Sequence, residues 1–202
     1  LNTPISVSEV AGLAGGYLIV TAIGAALAWL ATPRSPSATR RGVVGCVILG
    51  NNGNFGLPIA LLALGQAGFD QAIVLFLVSV VVVFTVGPAL LGAKESLGQA
   101  MLTVLKLPVS WALVAAPLIR LLDIALPVGV TRGAAMLAGA AVPMVLVALG
   151  VQMAHSTTLK PSPPTALAVL LRVIVMPLVA WGVAVVLQLP ALTTASLVLC
   201  WA

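Results

Sequence analysis

The sequence predicts an all-α integral membrane protein, because of its composition and the length of its apolar runs. Hydrophobic residues make up 61% of the 202 residues and charged residues only 6%, whereas a soluble domain carries about 25% charged residues. The apolar runs are about 20 residues long, which is the length that a helix needs to cross the hydrocarbon core. These runs also lack the period-two alternation of the strands in outer-membrane barrels.

About seven transmembrane helices are expected, and together they form a single transmembrane domain over 1–202. The second helix is expected to be broken near 51–58, and the seventh to be truncated. The predicted ranges are 10–31, 42–64, 70–92, 107–126, 131–154, 165–187 and 191–202.

Breaks in the pattern separate the first three segments. The first ends at a polar linker with two prolines, 32–36, because proline does not continue a helix. The second ends at a short turn with two glycines, 65–68. The third contains four consecutive valines, 80–83, which would indicate a strand in a soluble protein. Here the uncharged run of about 20 residues favours a spanning helix.

The later segments are separated in the same way. A polar linker, 94–106, precedes the fourth segment, and Pro108 suits the first turn of that helix. A polar, proline-rich linker, 156–164, separates the fifth segment from the sixth, and Pro190 precedes the seventh. The chain begins at Leu1 without a signal-peptide pattern and stops inside an apolar run. We therefore expect a fragment of a longer protein, with helices missing at both ends.

The distribution of Lys and Arg predicts the orientation. Alternate linkers place six of these residues on one side of the membrane and two on the other, and the richer side is expected to be cytoplasmic. The richer side has Arg34, Arg40, Arg41, Lys94, Lys106 and Lys160, and the other has Arg120 and Arg132, with Asp70 and Asp123. We expect a multi-pass protein of the plasma membrane or the bacterial inner membrane. The basic residues are too thinly spread to predict a nucleic-acid partner.

The chemistry of an enzyme or a metal protein is not predicted. Cys46 and Cys200 lie in apolar segments outside any Cys/His cluster, and His155 lies at a segment end. The segments contain no constellation of His, Asp, Glu and Cys that would indicate catalysis. We therefore expect neither an enzyme nor a bound cofactor.

The centre of the second segment is the predicted binding site. Three asparagines, three glycines and a proline fall within 50–58, in the middle of a spanning run. A broken backbone is tolerated at membrane depth only where it is buried in protein or lines a cavity. The half-helix that starts near Leu57 and Pro58 is expected to present its N–H groups, with their partial positive charge, to a carboxylate. The expected substrate-binding residues are Asn51, Asn52, Gly53, Asn54, Gly56 and Pro58.

The individual roles at this site are open. Asn51 and Asn54 are expected to face the substrate, and Asn52 to be structural. Alternatively, the asparagines only satisfy the broken backbone. Arg172 is a charge well inside the sixth segment, which makes it a candidate for an electrostatic role in binding anions. Alternatively, its side chain snorkels to the membrane interface.

The broken stretch resembles a known signature. Asn51-Asn52-Gly53-Asn54-Phe55-Gly56-Leu57-Pro58 is similar to the Asn-x-x-x-x-Gly-[Leu/Ile]-Pro motif of the auxin efflux carrier family, which includes plant PIN proteins and bacterial carriers. Two later stretches, 142–150 and 172–177, resemble the family's Pro-x-x-Leu-x-x-x-Gly and Arg/Lys-x-x-x-x-Pro helices. One departure is Leu107-Pro108, where the family often has Asn-Pro.

The resemblance implies a fold and a function. The fold would be that of a ten-helix transporter with two inverted five-helix repeats, of the bile-acid-symporter type. The second segment would be its first broken crossover helix, and the second crossover would lie beyond Ala202. The function would be that of a secondary active or facilitative efflux carrier for small organic anions, such as carboxylates or auxin-like acids, working by alternating access. The resemblance also implies a homodimer formed through the fourth and fifth segments.

Two other functions remain open on the sequence alone. One is a sodium-coupled organic-anion symporter of the same fold, since asparagine and backbone oxygens can bind Na⁺. The other is a membrane sensor or scaffold that binds a ligand without transporting it.

Overall fold

A computed structural model of the protein describes residues 6–91, 124–155 and 162–201, with seven isolated positions between 106 and 122. These residues form helices and turns and contain no strand. The prediction of an all-α membrane protein is confirmed, because four helical stretches within the described part are long and apolar enough to cross a membrane. The predicted linker 94–106 and helix 107–126 fall almost wholly outside the described residues.

The described residues form seven α-helices and two π-helical segments. The α-helices are α1 (Val7–Ala31), α2 (Ser37–Ile48), α3 (Leu57–Leu91), α4 (Val128–Ala154), α5 (Pro163–Leu170), α6 (Met176–Val186) and α7 (Ala191–Trp201). One π-helical segment, Asn52–Gly56, leads directly into α3, and the other, Leu171–Val175, joins α5 to α6. The stretch from α5 to α6 is thus one continuous rod of membrane-spanning length.

α3 consists of two limbs that fold back on each other at Gly65. This glycine has φ +68° and ψ −164°, a conformation that is essentially restricted to glycine. The fold-back is visible in the packing, because the ring of Phe76 lies against Gly53. In the same way, Ala72 and Gly56 border one small cavity. The turn expected at 65–68 is therefore the place where the chain reverses.

The core lies among α1, α2, α3, α6 and α7. A small residue allows close packing where α1 crosses α6, because a Cβ on Gly24 would lie 2.6 Å from the Cε atom of Met176. α4 contacts the π-helical segment Asn52–Gly56 and α3, and none of its described residues is buried. The largest fully buried side chains of the core include Leu13, Tyr17, Ile48, Leu75, Met176, Leu197 and Trp201.

At one end of the bundle, the Arg40 side chain links α2 to α1. The Nε and Nη2 atoms of Arg40 donate to the carbonyl of Trp29 at 3.1 and 2.8 Å. The guanidinium also stacks on the Trp29 ring, 3.7 Å from its centroid. Arg40 therefore satisfies a carbonyl in the last turn of α1, which has no partner within the helix.

The opposite end contains buried polar groups. The Nε2 atom of Gln71 donates to Oγ1 of Thr193 at 3.2 Å, which ties α3 to α7. Asp70 beside it is only 1% exposed and accepts a hydrogen bond from Nε2 of Gln66 at 2.9 Å. The sequence predicted Asp70 as the first residue of the third segment, but it did not predict the burial of the carboxyl group. Helix α3 continues through this position and buries the carboxyl group in the bundle.

Candidate functional site

The break in the membrane-spanning run lies between α2 and the first π-helical segment. Helix α2 ends at Ile48, and Leu49 and Asn51 have non-helical backbone angles. Helical structure resumes at Asn52, and the N–H of Leu57 donates to the carbonyl of Asn52. The second half-helix therefore starts at Asn52 rather than near Leu57 and Pro58, because the π-turn keeps this stretch hydrogen-bonded.

Asn51 caps the second half-helix. Its Oδ1 atom accepts from the N–H of Asn54 at 3.3 Å. Its carbonyl accepts from the N–H groups of Phe55 and Gly56 at 3.1 and 3.3 Å. The N–H groups at the very start of the half-helix have no acceptor within it, so this end carries a partial positive charge.

Arg172 lies on the other side of the break. Its Nη1 atom donates to the carbonyl of Val47 at 2.9 Å, and its Nη2 atom to the carbonyl of Cys200 at 3.1 Å. The Val47 carbonyl belongs to the last turn of α2, where carbonyls have no partner within the helix. The guanidinium also lies over the Trp201 ring, 4.7 Å from its centroid. The Arg172 side chain is therefore directed to main-chain carbonyls within the bundle, at the break, and its role in binding anions stays a prediction.

A second set of contacts links the break to α1 and α7. Asn52 is 5% exposed, and its Nδ2 atom donates to the Tyr17 hydroxyl at 3.2 Å. The Tyr17 ring packs on the Trp201 ring with centroids 5.0 Å apart. Asn52, Tyr17, Trp201 and Arg172 thus form a continuous chain of contacts around the break. Sequence reasoning missed Tyr17 and Trp201.

A cavity of about 280 Å³ opens at the break. One part of its lining is polar, and the rest is an apolar wall to which α4 contributes. Within the described part of the chain, Arg172 is the one charged residue of this lining. The lining residues are Leu49, Gly50, Asn51, Asn52, Phe55, Gly56, Leu149, Met153, Arg172, Leu199 and Cys200.

The predicted site residues divide into two groups. Asn51, Asn52, Gly56 and Arg172 come together at this cavity. Three others do not border it: Gly53 packs on Phe76, Asn54 is exposed and Pro58 is buried.

Gly50 is the point at which two polar groups converge. A methyl group on Gly50 would collide with Nη2 of Arg172 and would lie 2.9 Å from Oδ1 of Asn52. A cationic donor and a neutral acceptor therefore lie side by side at a backbone position that carries no side chain. The arrangement can bind a small polar group close to the main chain.

Comparison with known proteins gives one match. The sequence profile of a family described as "Membrane transport protein" matches residues 93–202, which is more than half of the chain. The matched part includes α4 to α7 and Arg172, whereas the broken stretch 51–58 precedes it. No curated protein and no solved structure matched the sequence. The match confirms the expected resemblance at the level of the family.

Proposed function

The chain belongs to the membrane transport protein family, and on this premise we propose that it is a carrier for small organic anions. The anion binds in the cavity at the break between α2 and α3, and it crosses the membrane by alternating access. The observation that carries the proposal is the position of Arg172, whose guanidinium lies at the break within the bundle.

The electrostatics of the break favour an anion. Arg172 contributes a full positive charge, and the start of the half-helix at Asn52 contributes a partial one. The negative end of α2 faces the same break, but the guanidinium already neutralises its Val47 carbonyl. The guanidinium has five N–H donors, and two of its hydrogen bonds go to main-chain carbonyls.

The shape of the cavity favours an anion with an apolar body. The carboxylate would lie at Gly50 and Arg172, where the polar groups are. The remaining lining includes Phe55, Leu149 and Met153, which are apolar. Binding sites for small molecules commonly combine an apolar wall with a few placed polar groups.

The sodium-coupled alternative has less support at this cavity. Within the described lining there is no carboxylate, and the Arg172 charge repels a cation in a medium of low dielectric constant. The same charge attracts a carboxylate. We therefore place the anion, and not a sodium ion, at the break.

Uptake into liposomes tests the proposal. The purified intact protein is reconstituted and offered labelled propionate, phenylacetate and malonate. We expect saturable uptake of at least one acid. In Arg172→Met the rate of uptake should decrease about tenfold or more, because the pair between the guanidinium and the carboxylate of the bound acid is lost. Arg172→Lys should retain part of the uptake, since lysine keeps the charge but not the planar fork.

A matched variant controls for the loss of a positive charge. Arg132 lies near the start of α4 and is exposed, far along the chain from the lining. Arg132→Met should therefore transport like the wild type. Absence of uptake of every acid by well-folded protein would overturn the proposal, and so would wild-type uptake by Arg172→Met.

A further inference from the structure

The direction of the Asn52 amide is set by its hydrogen bond to Tyr17, a residue that does not line the cavity. The Nδ2 atom of Asn52 donates to the Tyr17 hydroxyl at 3.2 Å. Tyr17 is 1% exposed, so its ring and hydroxyl are held in place by packing. An amide whose nitrogen is engaged by a fixed partner must turn its oxygen the other way.

The consequence is that Asn52 presents an acceptor to the cavity. Its Oδ1 atom lies 2.9 Å from a Cβ built on Gly50 and 3.9 Å from one built on Gly56. Both glycines line the cavity. Nη2 of Arg172 approaches the same point from the other side. A ligand at Gly50 therefore meets a cationic donor next to a neutral acceptor.

We propose that the Oδ1 atom of Asn52 accepts a hydrogen bond from the ligand, and that the site prefers carboxylic acids with a hydroxyl group beside the carboxylate. The inference rests on the proposed function, since it assigns the carboxylate to Arg172. The 2-hydroxyl group of such an acid donates to Oδ1 while the carboxylate accepts from the guanidinium. An acid without the hydroxyl leaves a buried acceptor without a partner, which weakens its binding.

Matched pairs of acids test the preference. Binding to the purified intact protein is measured by titration calorimetry for lactate and propionate, 2-hydroxyisovalerate and isovalerate, and mandelate and phenylacetate. We expect the hydroxylated member of each pair that binds to bind about tenfold more tightly. Equal or weaker binding of the hydroxylated members would overturn the inference and leave the proposed function standing. Binding of none of the six acids would overturn the inference, and absence of malonate uptake in addition would overturn the proposed function.

The ratio of the two affinities within a pair of acids distinguishes an effect on the orientation of the Asn52 amide from a general loss of protein stability. Tyr17→Phe keeps the ring packed on Trp201 but frees the Asn52 amide to rotate. The ratio should then fall toward one. A change that only loosened the protein would weaken both members of a pair equally and leave the ratio unchanged, and that result would contradict the proposal.

Thr85→Val serves as the control for the loss of a hydroxyl group in Tyr17→Phe. Thr85 lies in α3 and donates its hydroxyl to a main-chain carbonyl, that of Val81 at 2.7 Å, but it does not line the cavity. The ratio in this variant should equal that of the wild type. An equal drop in the ratio in Thr85→Val and Tyr17→Phe would contradict the proposal.

Discussion

Of the two glycines in the described lining of the cavity, Gly50 is the one at which a side chain would collide with polar groups of the site. In Gly50→Ala, the methyl group would collide with the Arg172 guanidinium and displace it from the carbonyls of Val47 and Cys200. We expect uptake of carboxylates to fall about tenfold or more and the melting temperature to decrease. Each buried carbonyl left without a donor costs about 1–3 kcal/mol. Uptake by liposomes and thermal unfolding in detergent measure the two effects.

A second glycine of the same region provides the control. A Cβ on Gly45 in α2 would meet only Cδ1 of Leu49, at 3.9 Å, which is an ordinary contact. Gly45→Ala should therefore transport normally and be slightly more stable, because alanine is the better helix former by about 0.5–1 kcal/mol. If the two alanine variants lost uptake equally, the close approach at Gly50 would not be what limits the site.

Tyr17 and Trp201 were not predicted at the site, because their contacts are with residues distant in sequence. Asn51, Asn52 and Arg172 were predicted because polar residues are rare and costly within apolar runs. Tyr17 and Trp201 gave no such signal, since an aromatic residue in a membrane helix is expected to pack or to lie at the interface. The partner of Asn52 lies 35 residues away, and only the packing of α1 against α3 and α7 identifies it.

At the scale of the elements, Gly65 makes the reversal of α3 possible. Its φ of +68° with ψ of −164° is a conformation that costs other residues about 1–3 kcal/mol. Gly65→Ala should therefore lower the free energy of unfolding by about this amount. Thermal or denaturant unfolding in detergent measures the change.

Gly15 in α1 is the matched control for Gly65. No atom lies within 4 Å of a Cβ built there. Gly15→Ala should leave the stability unchanged or raise it slightly. A Gly65→Ala variant as stable as Gly15→Ala would show that the chain does not reverse at Gly65.

The position of the break could be predicted only approximately from the sequence. Glycine, asparagine and proline between 50 and 58 indicated that the helix is interrupted. The observed interruption is shorter, because the π-turn at Asn52–Gly56 keeps most backbone groups hydrogen-bonded. Residue preferences indicate where an α-helix is unfavourable, but they do not distinguish an open loop from a π-turn. The start of the second half-helix was therefore predicted about five residues too late.

At the scale of the molecule, composition was sufficient to predict the class of fold. So few charges cannot cover a water-facing surface, so long apolar helices follow from the sequence without knowledge of packing. The buried environment of Asp70 could not be predicted in this way, because it depends on how far α3 extends into the bundle. The family match and the four membrane-spanning stretches support a multi-pass membrane transport protein.

The central claim is that an organic anion binds at the break. The position of a bound acid can be measured directly. A crystal structure of the intact protein with a bromine-substituted form of a transported acid would show the bromine by its anomalous signal. We expect the carboxylate within hydrogen-bonding distance of Arg172 at Gly50, and the bromine against the wall that includes Leu149 and Met153. A fully occupied acid bound elsewhere in the protein, with this cavity free of it, would contradict the claim.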